Sequence, residues 1–214
     1  MISKRIKKIA SLIGNEESVA DIGCDHGHLA MQLRENGNRA RIICSDNKIG
    51  PLNNARKNLA AYDGIEFVLG NGAENIRESV DTAVMSGLGY RTVIGIINAS
   101  RSFFDSCSRM IIQINTCMDQ LRRWLTANGF AIVDEHIIKD YKFYQIMDVR
   151  KGEQKLSELE IKYGPVLLNR HDDVFVSYLI DQIETKRRIL KEIDTANSDY
   201  QKIIDQIKEM ESLL

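Results

Sequence analysis

The stretch Val19-Ala-Asp-Ile-Gly-Cys-Asp-His-Gly-His-Leu29 decides the fold. A buried strand is expected to end at Asp21-Ile22, a glycine turn follows, and a helical pattern begins near His28. This order of strand, turn and helix is typical of the first unit of a nucleotide-binding α/β sheet. Because Gly23 has no Cβ, a ligand can approach its backbone closely. The stretch therefore predicts the floor of a cofactor pocket, to which Asp21 and Gly23 contribute.

Asp25 distinguishes between two kinds of cofactor. In the glycine-rich turn that holds dinucleotides, a second glycine stands where this chain has Asp25. A pyrophosphate needs amide donors at that turn, and a carboxylate would repel it. S-adenosylmethionine (SAM) carries a sulfonium cation and no phosphate, so its charge is compatible with Asp25. The turn favours SAM, while the alternative role for Asp25 is to cap the following helix, and the two roles are compatible.

Short apolar runs alternate with helical patterns up to about residue 150. The predicted strands are Ser18–Ile22, Arg41–Ser45, Ile65–Leu69, Asp81–Met85, Arg109–Ile114, Ala131–Ile138 and Phe143–Val149. The predicted helices are His28–Asn36, Pro51–Tyr62, Tyr90–Ser100 and Met118–Asn128. The central runs lack a polar face, as strands buried on both sides of a parallel sheet do. The alternation predicts a doubly wound α/β sheet.

The last two predicted strands are separated by little more than Lys139-Asp140. This connection is too short for a helical crossover, so the two strands must form an antiparallel hairpin. The expected fold class is therefore α/β, with a Rossmann-like seven-stranded sheet that ends in an antiparallel hairpin. This architecture fits a methyltransferase better than a dinucleotide-dependent dehydrogenase.

The character of the chain changes after Arg150. Residues 151–162 are polar and predict a linker or irregular connection, and residues 163–168 predict a turn and an apolar anchor. Residues 173–214 contain no glycine or proline, and their apolar residues recur at helical intervals in two runs. We expect a helical hairpin, an antiparallel coiled coil; one continuous helix is the alternative. The predicted domains are 1–150, which binds SAM, and 151–214, which holds the linker and the coiled coil.

Further pocket residues follow the next predicted strands. Asp46 ends the second strand about twenty residues beyond the glycine turn, where an acid accepts the ribose hydroxyls. Asn71, between Gly70 and Gly72, is suited to reading an adenine edge; the alternative is an ordinary turn residue. Gly87 and Leu88 follow the fourth strand, at the edge where the transferred methyl group would lie.

Candidate substrate contacts occur at three places. Tyr90 either stacks on an acceptor base or simply begins the next helix. Gln113 and Asn115 end the fifth predicted strand and face the same edge. Near the start, Lys4, Arg5, Lys7 and Lys8 place four cations in five residues, which indicates either contacts with RNA phosphates or a solvated helix face.

Composition excludes several classes of protein. The net charge of −1 argues against a polycation that binds nucleic acid nonspecifically. The chain has no membrane-length apolar run, and its start lacks a signal-peptide pattern, so we expect a cytoplasmic protein. Four cysteines, at 24, 44, 107 and 117, match neither a CxxC pair nor a disulfide scaffold, which predicts free thiols. His26 is expected to belong to the cofactor loop, and no metal site is expected.

Taken in order, these motifs resemble the bacterial tRNA (adenine(22)-N(1))-methyltransferase family, TrmK. The resemblance is carried by Ser3-Lys-Arg-Ile, residues 21–29, Gly50-Pro51, residues 70–72, residues 87–89, Arg123-Trp-Leu, Asn128-Gly-Phe, Asp134-Glu135, residues 163–168 and the helical tail. It implies a SAM cofactor, a tRNA partner, and methylation of adenine N1 in the D-arm region. It also implies that Asp25 matches a catalytic aspartate and Asp46 an acidic ribose-binding position. The oligomeric state stays open, with a monomer favoured.

This chain departs from the family pattern at the acceptor edge. It has Gly87-Leu-Gly-Tyr90 where the family usually has Gly-Met-Gly-Gly, and Gln113-Ile-Asn115 where the family has Gln-Pro-Asn. Three alternatives to the tRNA methyltransferase therefore stay open. They are a catalytically altered module that binds SAM or RNA, a methyltransferase acting on another substrate, and an NAD-dependent oxidoreductase, which Asp25 opposes.

Overall fold

The computed structural model describes residues 2–195 and 197–214. They fall into two compact units, one ending at Leu168 and the other running from Asn169 to Leu214. The strands are β1 (Val19–Ile22), β2 (Ile42–Asp46), β3 (Ile65–Leu69), β4 (Thr82–Leu88), β5 (Arg109–Ile114), β6 (Phe130–Lys139) and β7 (Phe143–Lys151). The helices are α1 (Lys4–Ser11), α2 (His28–Glu35), α3 (Ile49–Asn58), α4 (Tyr90–Ala99), α5 (Arg101–Ser106), α6 (Met118–Ala127), α7 (Glu158–Tyr163), α8 (Pro165–Arg170), α9 (Asp173–Glu192) and α10 (Tyr200–Glu211).

The first unit is built on one seven-stranded sheet in the order β3-β2-β1-β4-β5-β7-β6. Strands β1 to β5 are parallel. Helices lie in the crossovers from β1 to β2, from β2 to β3 and from β4 to β5, as parallel neighbours usually require. β7 lies antiparallel between β5 and β6, as the short connection after Lys139 requires. These findings confirm the predicted Rossmann-like sheet with its antiparallel hairpin.

Apolar side chains fill both faces of this sheet. One cluster includes Ala20, Ile22, Met85, Ile112 and Phe130, and a second includes Val19, Ile42, Val84 and Ile111. Neighbouring residues of one strand point to opposite faces, so a strand covered on both faces is apolar throughout. The interior strands β1 and β5 therefore contribute apolar side chains to both clusters.

The strand order reverses between β1 and β4. β2 lies on one side of β1 and β4 on the other, so their crossovers run to opposite sides. At such a reversal the loops after the two strands part and leave a crevice at the carboxyl edge of the sheet. The crevice lies directly beside the Gly23 turn.

Residues 151–162 were predicted to form a linker or irregular connection. The structure differs at their end, where α7 begins at Glu158. Ser157 and Glu160 form a capping box at its start. The buried Arg122 guanidinium donates to the carbonyls of Ile161 and Lys162 at 3.1 Å each. These bonds attach α7 to the sheet, so the first compact unit extends to Leu168, beyond the domain boundary predicted after residue 150.

The second unit contains α9 and α10 as two separate helices. Arg187 on α9 forms an ion pair with Glu211 on α10, and Lys186 donates to Gln206 at 2.6 Å. His171, just before α9, is 2.6 Å from the carbonyl oxygen of Leu213, just after α10. These contacts describe an antiparallel helical hairpin, as predicted in preference to one long helix. Among the residues described, no helix is long and apolar enough to cross a membrane.

Candidate active site

A cleft of about 460 Å³ opens at the carboxyl edge of the sheet, where the strand order reverses. Every residue predicted to bind a cofactor lines it: Asp21, Gly23, Asp25, His26, Asp46, Asn71, Gly72, Gly87 and Leu88. Residues distant in sequence meet here because parallel strands bring the carboxyl ends of β1, β2, β3 and β4, and the loops that follow them, to one edge. The cleft is therefore the candidate active site.

The Gly23 turn forms the floor of the cleft. The backbone N–H groups of Gly23 and Cys24 both donate to the carbonyl of Ser45, at 2.8 and 3.0 Å. Gly23 has φ +78°, a left-handed conformation that strains other residues. A Cβ at Gly23 would also lie 3.2 Å from the side chain of Leu88, at the edge predicted for methyl transfer. Glycine therefore keeps the floor clear between β1 and β4.

Asp21 lies beneath this floor and is only 5% exposed. Burial disfavours its ionised form, and the nearby negative charge of Asp46 adds to the effect. Together they raise the pKa of the Asp21 carboxyl to about 7. A cationic ligand in the cleft would offset both effects, so the site favours bound positive charge.

The carboxylate of Asp46 connects two loops of the cleft. Its Oδ1 accepts the backbone N–H of Lys48 at 2.9 Å, and its Oδ2 accepts that of Asp25 at 3.2 Å. These bonds fix the orientation of the Asp46 carboxylate at the end of β2, in the position predicted for a ribose-binding acid. They also fix the backbone that carries Asp25.

Asp25 is held in a left-handed conformation with φ +48°, which is uncommon for a residue other than glycine. Its side chain is 65% exposed and lies 3.6 Å from the Nε2 atom of His26. Helix α2 begins after Gly27, and no side chain caps its N-terminus. The alternative role of Asp25 as a helix cap is therefore not seen, and its carboxylate is available to a ligand.

The loop after β3 forms the adenine side of the predicted pocket. Ser45 Oγ donates to the carbonyl of Gly72 at 2.7 Å, which attaches this loop to β2. Gly72 has φ +66°, and a Cβ there would lie 2.7 Å from Ile96 Cγ2. The Asn71 amide is exposed and lies 3.4 Å from Glu74 Oε1. Ser45, which sequence reasoning missed, thus positions the loop.

Arg5 enters the cleft from helix α1, at the edge predicted for methyl transfer. Its Nη1 donates to Gln113 Oε1 at 3.0 Å, and a Cβ on Gly87 would lie 3.2 Å from the same nitrogen. Gln113 is fully buried, and its Oε1 also accepts from Ser86 Oγ at 3.3 Å. The Gln113 amide donates to the Ile114 carbonyl at 2.8 Å. Gln113 therefore holds Arg5, and its amide groups are used within the protein.

The structure divides the basic cluster at the start of the chain. Arg5 lines the cleft, whereas Lys4 and Lys7 are exposed and Lys8 is half-buried. Helical geometry explains the division, because residues 4, 7 and 8 share one face of α1 and residue 5 lies on another. Sequence reasoning treated these cations as one group and missed the cleft position of Arg5; the helical period was the available signal.

Tyr90 and Asn115 lie outside the cleft lining. Tyr90 begins α4, packs against the apolar core and accepts a hydrogen bond from Arg91 Nε at 3.1 Å. Asn115 is exposed, and its Oδ1 accepts from Lys142 Nζ at 3.2 Å. The position of Tyr90 fits its alternative role as the first residue of a helix.

Within the described part of the chain, no group of three histidine, cysteine or acidic side chains could hold a metal ion. The His26 and His28 rings stack with their centroids 5.7 Å apart. All four cysteines are free.

The residues of the cleft fit SAM. Glycines 23, 72 and 87 have a positive φ, and a Cβ at any of them would crowd another residue of the cleft lining, respectively Leu88, Ile96 and Arg5. Two acids, Asp21 and Asp46, line the cleft, and the N–H groups of Gly23 and Cys24 donate to the Ser45 carbonyl. This set of groups suits a cationic nucleoside better than a pyrophosphate.

Comparisons with known proteins point in the same direction. Residues 19–212 match the model of the family described as TrmK, tRNA (adenine(22)-N(1))-methyltransferase. The chain is 25% identical to the tRNA (adenine(22)-N(1))-methyltransferase of Bacillus subtilis, over 98% of this chain and 92% of that protein. A Streptococcus pneumoniae protein solved with S-adenosyl-L-methionine is 31% identical over 100% of both chains, with a TM-score of 0.88. M. capricolum TrmK, solved with S-adenosyl-homocysteine, is 29% identical over 99% of this chain and 97% of that chain, with a TM-score of 0.82.

Proposed function

Since the chain belongs to the tRNA (adenine(22)-N(1))-methyltransferase family, we propose that it transfers a methyl group from SAM to N1 of adenine 22 in the D-arm region of tRNA. The observation that carries this proposal is the cleft at the β1–β4 reversal, where all predicted cofactor residues meet. The solved relatives that contain SAM or its demethylated product support the choice of cofactor.

The cleft residues divide among the parts of SAM. Asp46, with its carboxylate oriented by two backbone N–H groups, accepts the ribose hydroxyls. Asn71 and Gly72 hold the adenine, and the Gly23 floor with Asp21 beneath it holds the methionine end. When bound, SAM supplies an electrophilic methyl group, and Gly87 and Leu88 at the end of β4 line the acceptor edge where that group would lie.

The acceptor nitrogen needs positioning more than deprotonation. N1 of neutral adenine carries a lone pair, but it lies on the Watson–Crick edge, so the target base must be unpaired or flipped out. The product ring is cationic. The Asp25 carboxylate accepts a hydrogen bond from the exocyclic amine and stabilises that growing charge, while the binding contacts supply orientation.

The basic face of α1 contacts the tRNA backbone. Lys4, Lys7 and Lys8 share this face, next to the point where Arg5 enters the cleft. Substitution of all three lysines by glutamate is expected to weaken tRNA binding and leave the SAM dissociation constant unchanged. Equal tRNA affinity in the variant would remove this role. Because the substrate is tRNA, we place the reaction in the cytoplasm.

The direct test uses labelled SAM and an unmodified tRNA transcript, followed by nucleoside analysis for 1-methyladenosine. The matched control is the same transcript with guanosine in place of adenosine 22, which should accept no methyl group. Equal methylation of both transcripts would contradict the position, and SAM binding without transfer to any tRNA would favour the catalytically altered module.

A further inference from the structure

The connection between β6 and β7 lies beside the acceptor edge of the cleft. β7 runs antiparallel to β5, and Gln145 pairs with Ile114 at the carboxyl end of β5. The residues just before Gln145 therefore project past the edge at which β1 and β4 open the cleft. Lys142 confirms this placement, since its Nζ lies 3.2 Å from the Asn115 side chain, immediately after β5.

This connection, here called the Tyr141 turn (Asp140, Tyr141 and Lys142), presents a large aromatic ring to solvent. Tyr141 is 82% exposed, although a ring of this size is usually at least half-buried. The ring is nevertheless held in place, because it meets Tyr144 edge-to-face with centroids 5.6 Å apart and an angle of 84°. Lys142 Nζ lies 5.1 Å from the Tyr144 centroid and 5.8 Å from that of Tyr141.

Tyr144 connects the turn to the cleft. It is only 4% exposed, and the Arg5 guanidinium lies over its ring at 5.4 Å from the centroid. The same guanidinium is bonded to Gln113 and lies against Gly87. A continuous set of contacts thus runs from the methyl-transfer edge through Arg5 and Tyr144 to the exposed ring of Tyr141.

The chemistry of this surface fits RNA. An exposed aromatic ring offers a stacking face to any unpaired base, and neighbouring cations bind phosphates. Lys139, Arg5 and Lys142 supply three positive charges, and Asp140 supplies one negative charge. A base that leaves its helix to be methylated exposes the faces of its neighbours, which then need a new stacking partner.

We propose that Tyr141 stacks on a tRNA base that neighbours the target adenine, while Lys142 binds an adjacent phosphate. The turn holds the tRNA with the target base directed into the cleft, and so contributes to substrate selection. This inference rests on the proposed function, because it assumes that the acceptor is a base in tRNA.

The test compares Tyr141→Ala and Tyr141→Phe with the unmodified protein, using the unmodified tRNA transcript and SAM. Stacking on one base is lost with alanine and kept with phenylalanine, so Tyr141→Ala should weaken tRNA binding about 5- to 100-fold. Tyr141→Phe should stay within about threefold of the original affinity, since it retains the ring. The SAM dissociation constant and the thermal midpoint should be unchanged in both variants, because Tyr141 is exposed.

Lys142→Ala tests the phosphate contact. It should lower the slope of log affinity against log salt concentration by about 0.7 to 0.9, the value of one phosphate contact. Lys57→Ala removes an exposed lysine at the far end of α3 and should leave that slope unchanged.

The outcomes distinguish a failure of the proposed methyltransferase function from a failure of the proposed tRNA contact at the Tyr141 turn. If the unmodified protein forms no 1-methyladenosine, the proposed function fails. If it does, and Tyr141→Ala binds and methylates tRNA as well as the unmodified protein, the turn is not an RNA contact. If Tyr141→Phe weakened tRNA binding as much as Tyr141→Ala does, base stacking would also be overturned, because keeping the aromatic ring would then not preserve the affinity.

Discussion

Replacement of Gly72 by alanine is the sharpest structural test of the cleft. The residue follows β3 with φ +66°, and a new Cβ would lie 2.7 Å from Cγ2 and 3.0 Å from Cγ1 of Ile96. Both residues line the cleft on the side predicted to hold the adenine of SAM. The substitution therefore strains the backbone and pushes the Ile96 side chain at the same time.

The two effects can be sized separately. Holding a residue with a Cβ in the left-handed region costs about 1–2 kcal/mol. Overpacking by one carbon in a well-packed region costs about 1–3 kcal/mol. We expect Gly72→Ala to lower the free energy of unfolding by about 2–5 kcal/mol. At about 2–4 °C per kcal/mol for a chain of this size, the thermal midpoint should fall by roughly 4–20 °C.

The assay is thermal unfolding with and without SAM, alongside isothermal titration of SAM. Gly95→Ala is the matched control, because Gly95 lies within α4 and an added Cβ would meet nothing within 4 Å. That control should be neutral or stabilise by up to about 1 kcal/mol, since alanine favours helix. In the double variant with Ile96→Ala, part of the Gly72→Ala cost should disappear, as the clashing carbons are gone. A Gly72→Ala protein as stable as the Gly95→Ala control would refute the geometry.

Three further outcomes follow from the site and its surroundings. Asp25→Asn, which keeps the shape and tolerates a positive φ, should lower kcat for tRNA by about 100-fold or more; full turnover would exclude the charge-stabilising role. SAM affinity should rise with pH through about 7, because the raised pKa of Asp21 leaves its carboxyl neutral below that pH and anionic above it. In Asp21→Asn, SAM affinity should not show this rise with pH. Arg122→Ala removes the guanidinium that lies 2.9 Å from the buried Glu135 carboxylate, so denaturant unfolding should show a loss of about 3–5 kcal/mol. A loss under 1 kcal/mol would contradict this reasoning.

Much of the fold was accessible from sequence because local patterns dictate it. The apolar runs gave the strand positions, and the three residues between Lys139 and Phe143 allowed only an antiparallel hairpin. Glycines such as Gly23 and Gly72 indicated turns at the cleft, and both have a positive φ in the structure. These signals are local, since each depends on residues that are close together in the chain.

The features that sequence reasoning missed depend on tertiary contacts. Helix α7 starts at a local capping box, but it is attached to the sheet through Arg122, about forty residues earlier in the chain. Gln113 was predicted to face substrate at the end of β5, yet it is buried and bonded to Arg5, which is 108 positions away. No pattern of spacing along the chain predicts that Arg5 and Gln113 are in contact.

The hydrogen bonds of Asp46 connect parts of the cleft that belong to separate sequence motifs. One carboxylate oxygen holds the start of the loop before α3, and the other holds the backbone N–H of Asp25 in its left-handed conformation. A ligand that bonds to Asp46 therefore acts on the same group that orients the proposed catalytic aspartate. Since Gly23 and Cys24 in that loop are bonded to the carbonyl of Ser45, the residue before Asp46, the whole turn is positioned by the end of β2. The proposed cofactor contact of Asp46 and the orientation of the Asp25 backbone thus both depend on one short segment, Ser45-Asp46.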